Sequence, residues 1–156
     1  MLYRKIEKDI EEYLRAEDDR IMILEGARQI GKSFIIKEVG KKLYDNFIEI
    51  NFAEDDEGPK IFKGIGTTEG FYFTLSSVYG EKLDRYENTL IFLDEIQHYP
   101  QYLTLLKFFR EDRRFRFIAS GSLLGITLRE TTSIPVGSII RKNMYQLDFE
   151  EFLIAN

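Results

Sequence analysis

The stretch Gly26-Ala27-Arg28-Gln29-Ile30-Gly31-Lys32-Ser33 has residue types and spacing suited to one kind of chemistry. It fits G-x-x-x-x-G-K-[ST] at every fixed position, which average composition produces by chance in about 0.5% of chains this long. Several backbone N–H groups can converge on one phosphate only if the loop wraps tightly and lets the ligand approach, and two glycines allow both. A helix starting near Gly31 adds free N–H groups and partial positive charge. Lys32 would reach the β- and γ-phosphates, and Ser33 would give its hydroxyl to Mg2+. Nucleotide contacts are expected over Gly26, Ala27, Arg28, Gln29, Ile30, Gly31, Lys32, Ser33 and Phe34, the residue after the motif. Arg28 and Gln29 hold no fixed role in the motif and read as solvated loop residues, with Arg28 able to touch a phosphate. The competing explanation is a plain strand–turn–helix connection.

Leu90-Ile91-Phe92-Leu93-Asp94-Glu95 has the form of a Walker B strand: four apolar residues followed by two acids. Asp94 suits a nucleotide-bound Mg2+, held directly or through water at the carboxyl end of a central strand. Glu95 suits the orientation or deprotonation of an attacking water. Alone this pattern is weak, since two acids at a strand end can simply cap the next helix. About 60 residues downstream of a complete phosphate loop it gains weight. Ser120-Gly121-Ser122 ends another apolar run, and Ser120 there would sit between γ-phosphate and water as a sensor. A bland Gly-Ser turn explains the same residues. The expected catalytic set is Lys32, Glu95 and Ser120, and the expected metal ligands are Ser33 and Asp94.

These residues need elements to position them. Ile21 to Leu24, Leu90 to Leu93 and Phe115 to Ala119 are continuous apolar runs, as expected of strands buried on both faces. Phe47 to Phe52 and residues 138–147 read as two further strands. Helical periodicity marks 2–16, 32–44, 67–79 and 101–110, with a short helix near 122–129 and another starting at Phe149. The first helix is expected to cover one edge of the sheet, and 54–66 to form an acidic surface loop or short helix. Alternation of helix and strand predicts an α/β three-layer sandwich of the P-loop NTPase type, with a parallel sheet and helices on both faces. No boundary interrupts the chain, so 1–156 is expected to be a single domain. An extra strand should lie between the phosphate-loop strand and the Walker B strand, and 115–119 is the natural candidate.

Composition narrows the alternatives. Hydrophobic residues are 44% of the 156 residues, enough for a packed core. Net charge is −5, which does not indicate a broad nucleic-acid-binding face. With no Cys, disulfides, thiolate metal sites and cysteine nucleophiles are excluded. A single His, His98, argues against zinc-hydrolase sites and histidine triads, and reads as a surface loop residue. No apolar run is long enough for a membrane span and the N-terminus is no signal peptide, so a cytoplasmic domain without membrane contact is expected. Glu54, Asp55, Asp56 and Glu57 could suggest a cation site, but they read as a solvated acidic loop. Arg110, Arg113, Arg114 and Arg116 precede a strand and so fall at its amino edge, away from the edge where such sheets bind ligands; they read as a solvated connection. Asn-Lys-x-Asp, which reads guanine, is absent: Glu81-Lys82-Leu83-Asp84 lacks the Asn. That favours ATP, with ADP as product.

GARQIGKS, LIFLDEIQ, YLTLLKFF, FIASGSLLG and the tail IPVG…DFEEFL together resemble the AAA-superfamily ATP-binding proteins of bacteria and archaea that usually carry a C-terminal domain of unknown function. The resemblance covers Ile21 to Leu153, and its combination of motifs is specific where GKS alone is not. It implies a five-stranded core with sheet order 5-1-4-3-2 and the Walker roles just given. Two departures stand out. Ser138 follows Pro-Val-Gly where such proteins often have a basic residue, with Arg141 and Lys142 beyond it. Family chains also continue past FEEFL into a second half, so this sequence is expected to be an ATPase core coupled to a C-terminal domain or partner in trans, or to another copy of itself. Arg129, after the strand ending at Ser120, is the position where such proteins often present an arginine to a neighbouring subunit; an exposed helix-end arginine is the plainer alternative. The expected activity is Mg2+-dependent ATP hydrolysis, slow in the isolated core. Its rivals are a nucleotide-dependent switch with little turnover and a P-loop kinase, which the Asp-Glu pair and the lack of an arginine-rich lid oppose.

Overall fold

A computed structural model describes residues 3–83, 88–125 and 136–155. Five strands form one sheet: β1 (Ile21–Glu25), β2 (Asn46–Asn51), β3 (Thr89–Asp94), β4 (Arg116–Gly121) and β5 (Ile139–Asn143). Their order is β2-β3-β4-β1-β5 and every pairing is parallel. This is the expected order 5-1-4-3-2 read from the other side, with β4 between β1 and β3.

Side chains alternate across the sheet as a doubly covered strand requires. Ile21, Ile23, Ile91, Leu93, Phe117 and Ala119 enter one core; Met22, Leu24, Leu90, Phe92 and Ile118 enter the other. The first core is aromatic. Phe71 lies 4.9 Å from Phe109, and Phe109 stacks on Phe117 at 4.6 Å, between α4 (Thr68–Tyr79), α5 (Gln101–Asp112) and the sheet. The second lies under α1 (Lys5–Arg15) and α2 (Lys32–Leu43) and is mainly aliphatic.

Three expectations change. The first helix covers a face rather than an edge: Ile6, Ile10, Tyr13 and Leu14 share a core with α2, and the Tyr13 hydroxyl donates to the Phe117 carbonyl at 2.8 Å. The acidic stretch opens with a short helix, one of its two expected forms, α3 (Phe52–Glu57), because the Asn51 side chain accepts from the Ala53 and Glu54 N–H groups. Asp55 within it is buried, accepting from Ile61 N–H, Phe62 N–H and the Tyr99 hydroxyl, so it ties a loop down instead of being solvated. β5 stops at Asn143 rather than running on to 147. Met144 still donates its N–H to Glu25 O at 2.7 Å, but beyond it the chain turns toward α1, where Arg4 donates to Tyr145 O. There α6 (Phe149–Ala155) starts in a reciprocal box, Asp148 accepting from Glu151 N–H and Glu151 from Asp148 N–H. Among the described residues, no helix is long and apolar enough to cross a membrane.

Candidate functional site

A parallel sheet puts all its carboxyl ends at one edge, and here that edge collects Glu25-Gly26, Asn51, Asp94, Ser120-Gly121 and Asn143. Gly26 leaves β1 in the tightest space. A Cβ at this position would collide with the Met144 carbonyl oxygen and come within 2.7 Å of Ile30 Cδ1. Gly31 carries φ +98° at the start of α2, a conformation that L side chains rarely adopt. No side chain caps α2, so its first N–H groups remain for a ligand. Gln29 also turns through positive φ, at 61°. Ala27, Arg28, Gln29 and Phe34 face outward, while Lys32 is buried and Ser33 half-buried.

Lys32 is therefore more enclosed than a loop lysine, with its Nζ donating to Gly26 O at 2.9 Å and Ala27 O at 2.6 Å. Desolvation holds its pKa below the ordinary lysine value, against the opposing pull of Glu95 and Asp94. Ser33 donates to Asp94 Oδ2 at 2.7 Å across 61 residues of sequence. The other oxygen, Oδ1, accepts from Ser120, which is fully buried at the end of β4. Asp94 itself is 2% exposed, so its carboxylate is satisfied by two hydroxyls in a nearly dry setting. The expected sensor Ser120 thus touches the carboxylate expected to hold the metal. Glu95 follows in the left-handed region, φ 56° and ψ 47°, which swings the chain off β3 into a 3-10 turn over Ile96–His98.

The donor set fits Mg2+. It offers a hydroxyl and a carboxylate, hard oxygen ligands, and the described residues contain no group of three or more acidic, His or Cys side chains placed to hold a metal ion. Mg2+ in nucleotide sites rests on one or two protein oxygens plus phosphate and water, and needs no such cage.

Several contacts lie outside the motif pattern. Arg4 reaches the loop from α1's start, donating to Ile30 O at 3.1 Å. Arg141 on β5 donates to Glu25 Oε1 at 3.0 and 2.6 Å. Gln97 bonds Glu95. The first two pairings span 26 and 116 residues and have no local sequence signal. Gln97 does have one, its place in LDEIQ, two residues past the glutamate. The arginines before β4 lie at the amino edge as expected; Arg113 and Arg114 are exposed, as a solvated connection requires, while Arg110 and Arg116 are partly covered. Arg110 and Arg113 pair with Asp19 at 3.0 and 2.9 Å, Arg114 lies 4.7 Å from the Tyr72 ring centre, and Arg116 covers Tyr13. His98 is partly covered, 3.7 Å from Asp56. Arg129 and most of the 122–129 helix fall outside the described residues.

A family model described as an AAA domain matches residues 18–153. No curated protein matches the chain. Among solved structures, the S. cerevisiae Hsp104–ADP complex is similar at 15% identity and a TM-score of 0.58, over 95% of this chain and 22% of that one. A closed-state reconstruction of Hsp104 with ATPγS and FITC-casein is similar at 16% identity and a TM-score of 0.61, over 96% of this chain and 28% of that one. The chain spans about a quarter of those proteins, and the likeness at such identity is one of fold. With the family match covering most of the chain and the fold agreeing, the chain belongs to the AAA domain family and forms an AAA-superfamily ATPase core.

Proposed function

We propose that this core binds MgATP at the carboxyl edge of its sheet and hydrolyses it. The observation that carries the reading is the 2.7 Å bond from Ser33 to Asp94, which joins the two motifs of the sequence in one site. A serine that donates its proton to Asp94 keeps its lone pairs for a metal. Ser33 and Asp94 would hold Mg2+, which would supply charge to offset the phosphates. Lys32 exchanges the Gly26 and Ala27 carbonyls for phosphate oxygens, and the N–H groups of residues 31–33 add theirs. Ser120 fixes the Asp94 carboxylate, and a polar hydroxyl at the end of β4 also suits the sensor role. Glu95, off the strand end, takes a proton from the attacking water.

A slow rate in the isolated core is favoured by one contact. Arg141, a cation on β5 beside the site, is engaged by Glu25. Further positive charge at the γ-phosphate would come from a second copy, or from a C-terminal domain acting in trans, and such an arginine can contribute ~10³–10⁵ in rate. Coupling of nucleotide state to such a partner is part of the proposal, as is a cytoplasmic location.

The test separates binding from turnover. Glu95→Gln keeps the side chain's size and removes the base, so ATP should still bind while phosphate release drops about 100-fold. Asp94→Ala should instead lose the Mg2+-dependent part of binding. An unchanged rate in the Glu95 variant would turn the reading to a nucleotide switch.

A further inference from the structure

The Glu95 carboxylate is held on one side. Its Oε2 accepts from the Gln97 side-chain amide and, at 3.4 Å, from the Ser122 hydroxyl; among the described residues no group donates to Oε1. Gln97 is itself fixed. Its Oε1 accepts the Ser122 backbone N–H at 3.3 Å, and its Nε2 donates to Ser122 Oγ at 3.1 Å. A peptide N–H needs an acceptor and a carboxylate needs a donor, so only one orientation of the amide satisfies both neighbours. Ser122 is 2% exposed, at the end of β4. The amide thus bridges the turn after β3 to the end of β4, with Glu95 between.

The seat is built to size. Gly121 has ordinary backbone angles, yet a Cβ there would stand 2.9 Å from Gln97 Oε1 and 2.9 Å from Leu124 Cδ1. Any side chain at 121 pushes the amide away from Ser122. A second constraint comes from Glu95, whose left-handed backbone is strained for a residue with a Cβ and persists only where the surroundings enforce it.

We propose that Gln97 is a positioning residue for Glu95: with Ser122 it fixes one carboxylate oxygen and leaves the other, Oε1, to face the water. The inference rests on the hydrolytic reading. Gln97 does not touch the reacting atoms; it removes the rotamer freedom that a half-exposed glutamate would otherwise keep, and it makes the aim of Glu95 depend on the end of β4.

The experiment uses single-turnover and steady-state hydrolysis of ATP by the whole chain. Gln97→Ala should lower kcat about 10-fold with KM, ATP affinity and the calorimetric binding stoichiometry unchanged; partial unfolding would lower the stoichiometry along with kcat. In a Glu95→Gln background the same change should cost nothing further, because its effect passes through Glu95. Gly121→Ala should reproduce the loss with the Gln97 side chain intact. A kcat equal to wild type in Gln97→Ala, a faster one, or a loss that multiplies with Glu95→Gln overturns the proposal. Failure of the hydrolytic reading shows separately, as wild type turning over no faster than Glu95→Gln. In that event, crystal structures of wild type and Gln97→Ala decide the positioning claim: a displaced carboxylate supports it and an unmoved one overturns it.

Discussion

At the amino edge of the sheet, Arg116 lies 4.1 Å over the Tyr13 ring and donates to the carbonyls of Asp18 at 2.6 Å and Tyr13 at 2.9 Å. At the carboxyl edge, Lys32 donates to the carbonyls of Gly26 and Ala27, and Asp94 accepts from two hydroxyls. Both edges bring charge into the fold and leave it satisfied. They differ in what the partners can be exchanged for. Arg116 is committed to an aromatic face and to backbone that holds α1 against β4, beside a cleft of about 420 Å³ lined by the same arginines with Asp18 and Asp19. On the proposed reading, Lys32 and Asp94 sit on contacts that phosphate oxygens and a divalent cation would replace with stronger ones. The cleft rich in arginine is then a lock, and the carboxyl edge carries the proposed site.

Gly26 is where the two roles coincide, so its substitution should have the largest effect. Gly26→Ala forces a Cβ into the Met144 carbonyl and against Ile30, backbone that cannot simply swing aside. It should abolish measurable ATP binding and cost about 3 kcal/mol of stability, read by calorimetry and urea unfolding. Retained binding would show that the loop can relocate. Arg116→Ala breaks only the lock. It removes two charge-assisted hydrogen bonds and a cation–π contact and should cost about 2–3 kcal/mol, with ATP affinity unchanged. A loss of affinity of similar size would mean that the two edges are coupled.

The sequence carried the site further than it carried the lock. Gly26, Lys32, Ser33 and Asp94, the residues of the proposed site, stand out in the sequence because phosphate chemistry would fix both their types and their spacing. The sheet is legible because three strands each hold a continuous apolar run, as doubly covered strands do. Arg113 and Arg114 are exposed as their sequence suggests, but Arg116 is not, since nothing local tells it from a surface arginine; Tyr13 lies about 100 residues away. Asp55 misled for the same reason: its partners Ile61, Phe62 and Tyr99 come from a loop and a turn. Gln97 stood in plain view in LDEIQ, yet its role depends on the bare Cα of Gly121 and on Ser122, 25 residues on.

The smallest effect concerns acid. Hydrogen bonds from Arg20 hold the Asp18 carboxyl down to about 2. A folded pKa below the ordinary carboxylate value gives stability that is present above about pH 4 and is lost as pH falls toward 2. The pair is solvent-accessible, so its share is below about 1 kcal/mol. Thermal midpoints of wild type and Asp18→Asn should differ at pH 6 and converge near pH 2. Parallel profiles would remove this pair from the lock.

The central claim is that the carboxyl edge is a nucleotide site held in reserve by replaceable contacts. It is tested most directly by titrating ATP into wild type and Lys32→Ala, with Mg2+ and with EDTA, alongside thermal unfolding of both proteins. Wild type should bind MgATP, EDTA should weaken that binding, and Lys32→Ala should bind about 100-fold more weakly at an unchanged melting temperature, since a charge-assisted bond to phosphate contributes roughly 1.5–3 kcal/mol. Equal affinities for the two proteins would contradict the account, and would mean that Lys32 belongs to the fold alone.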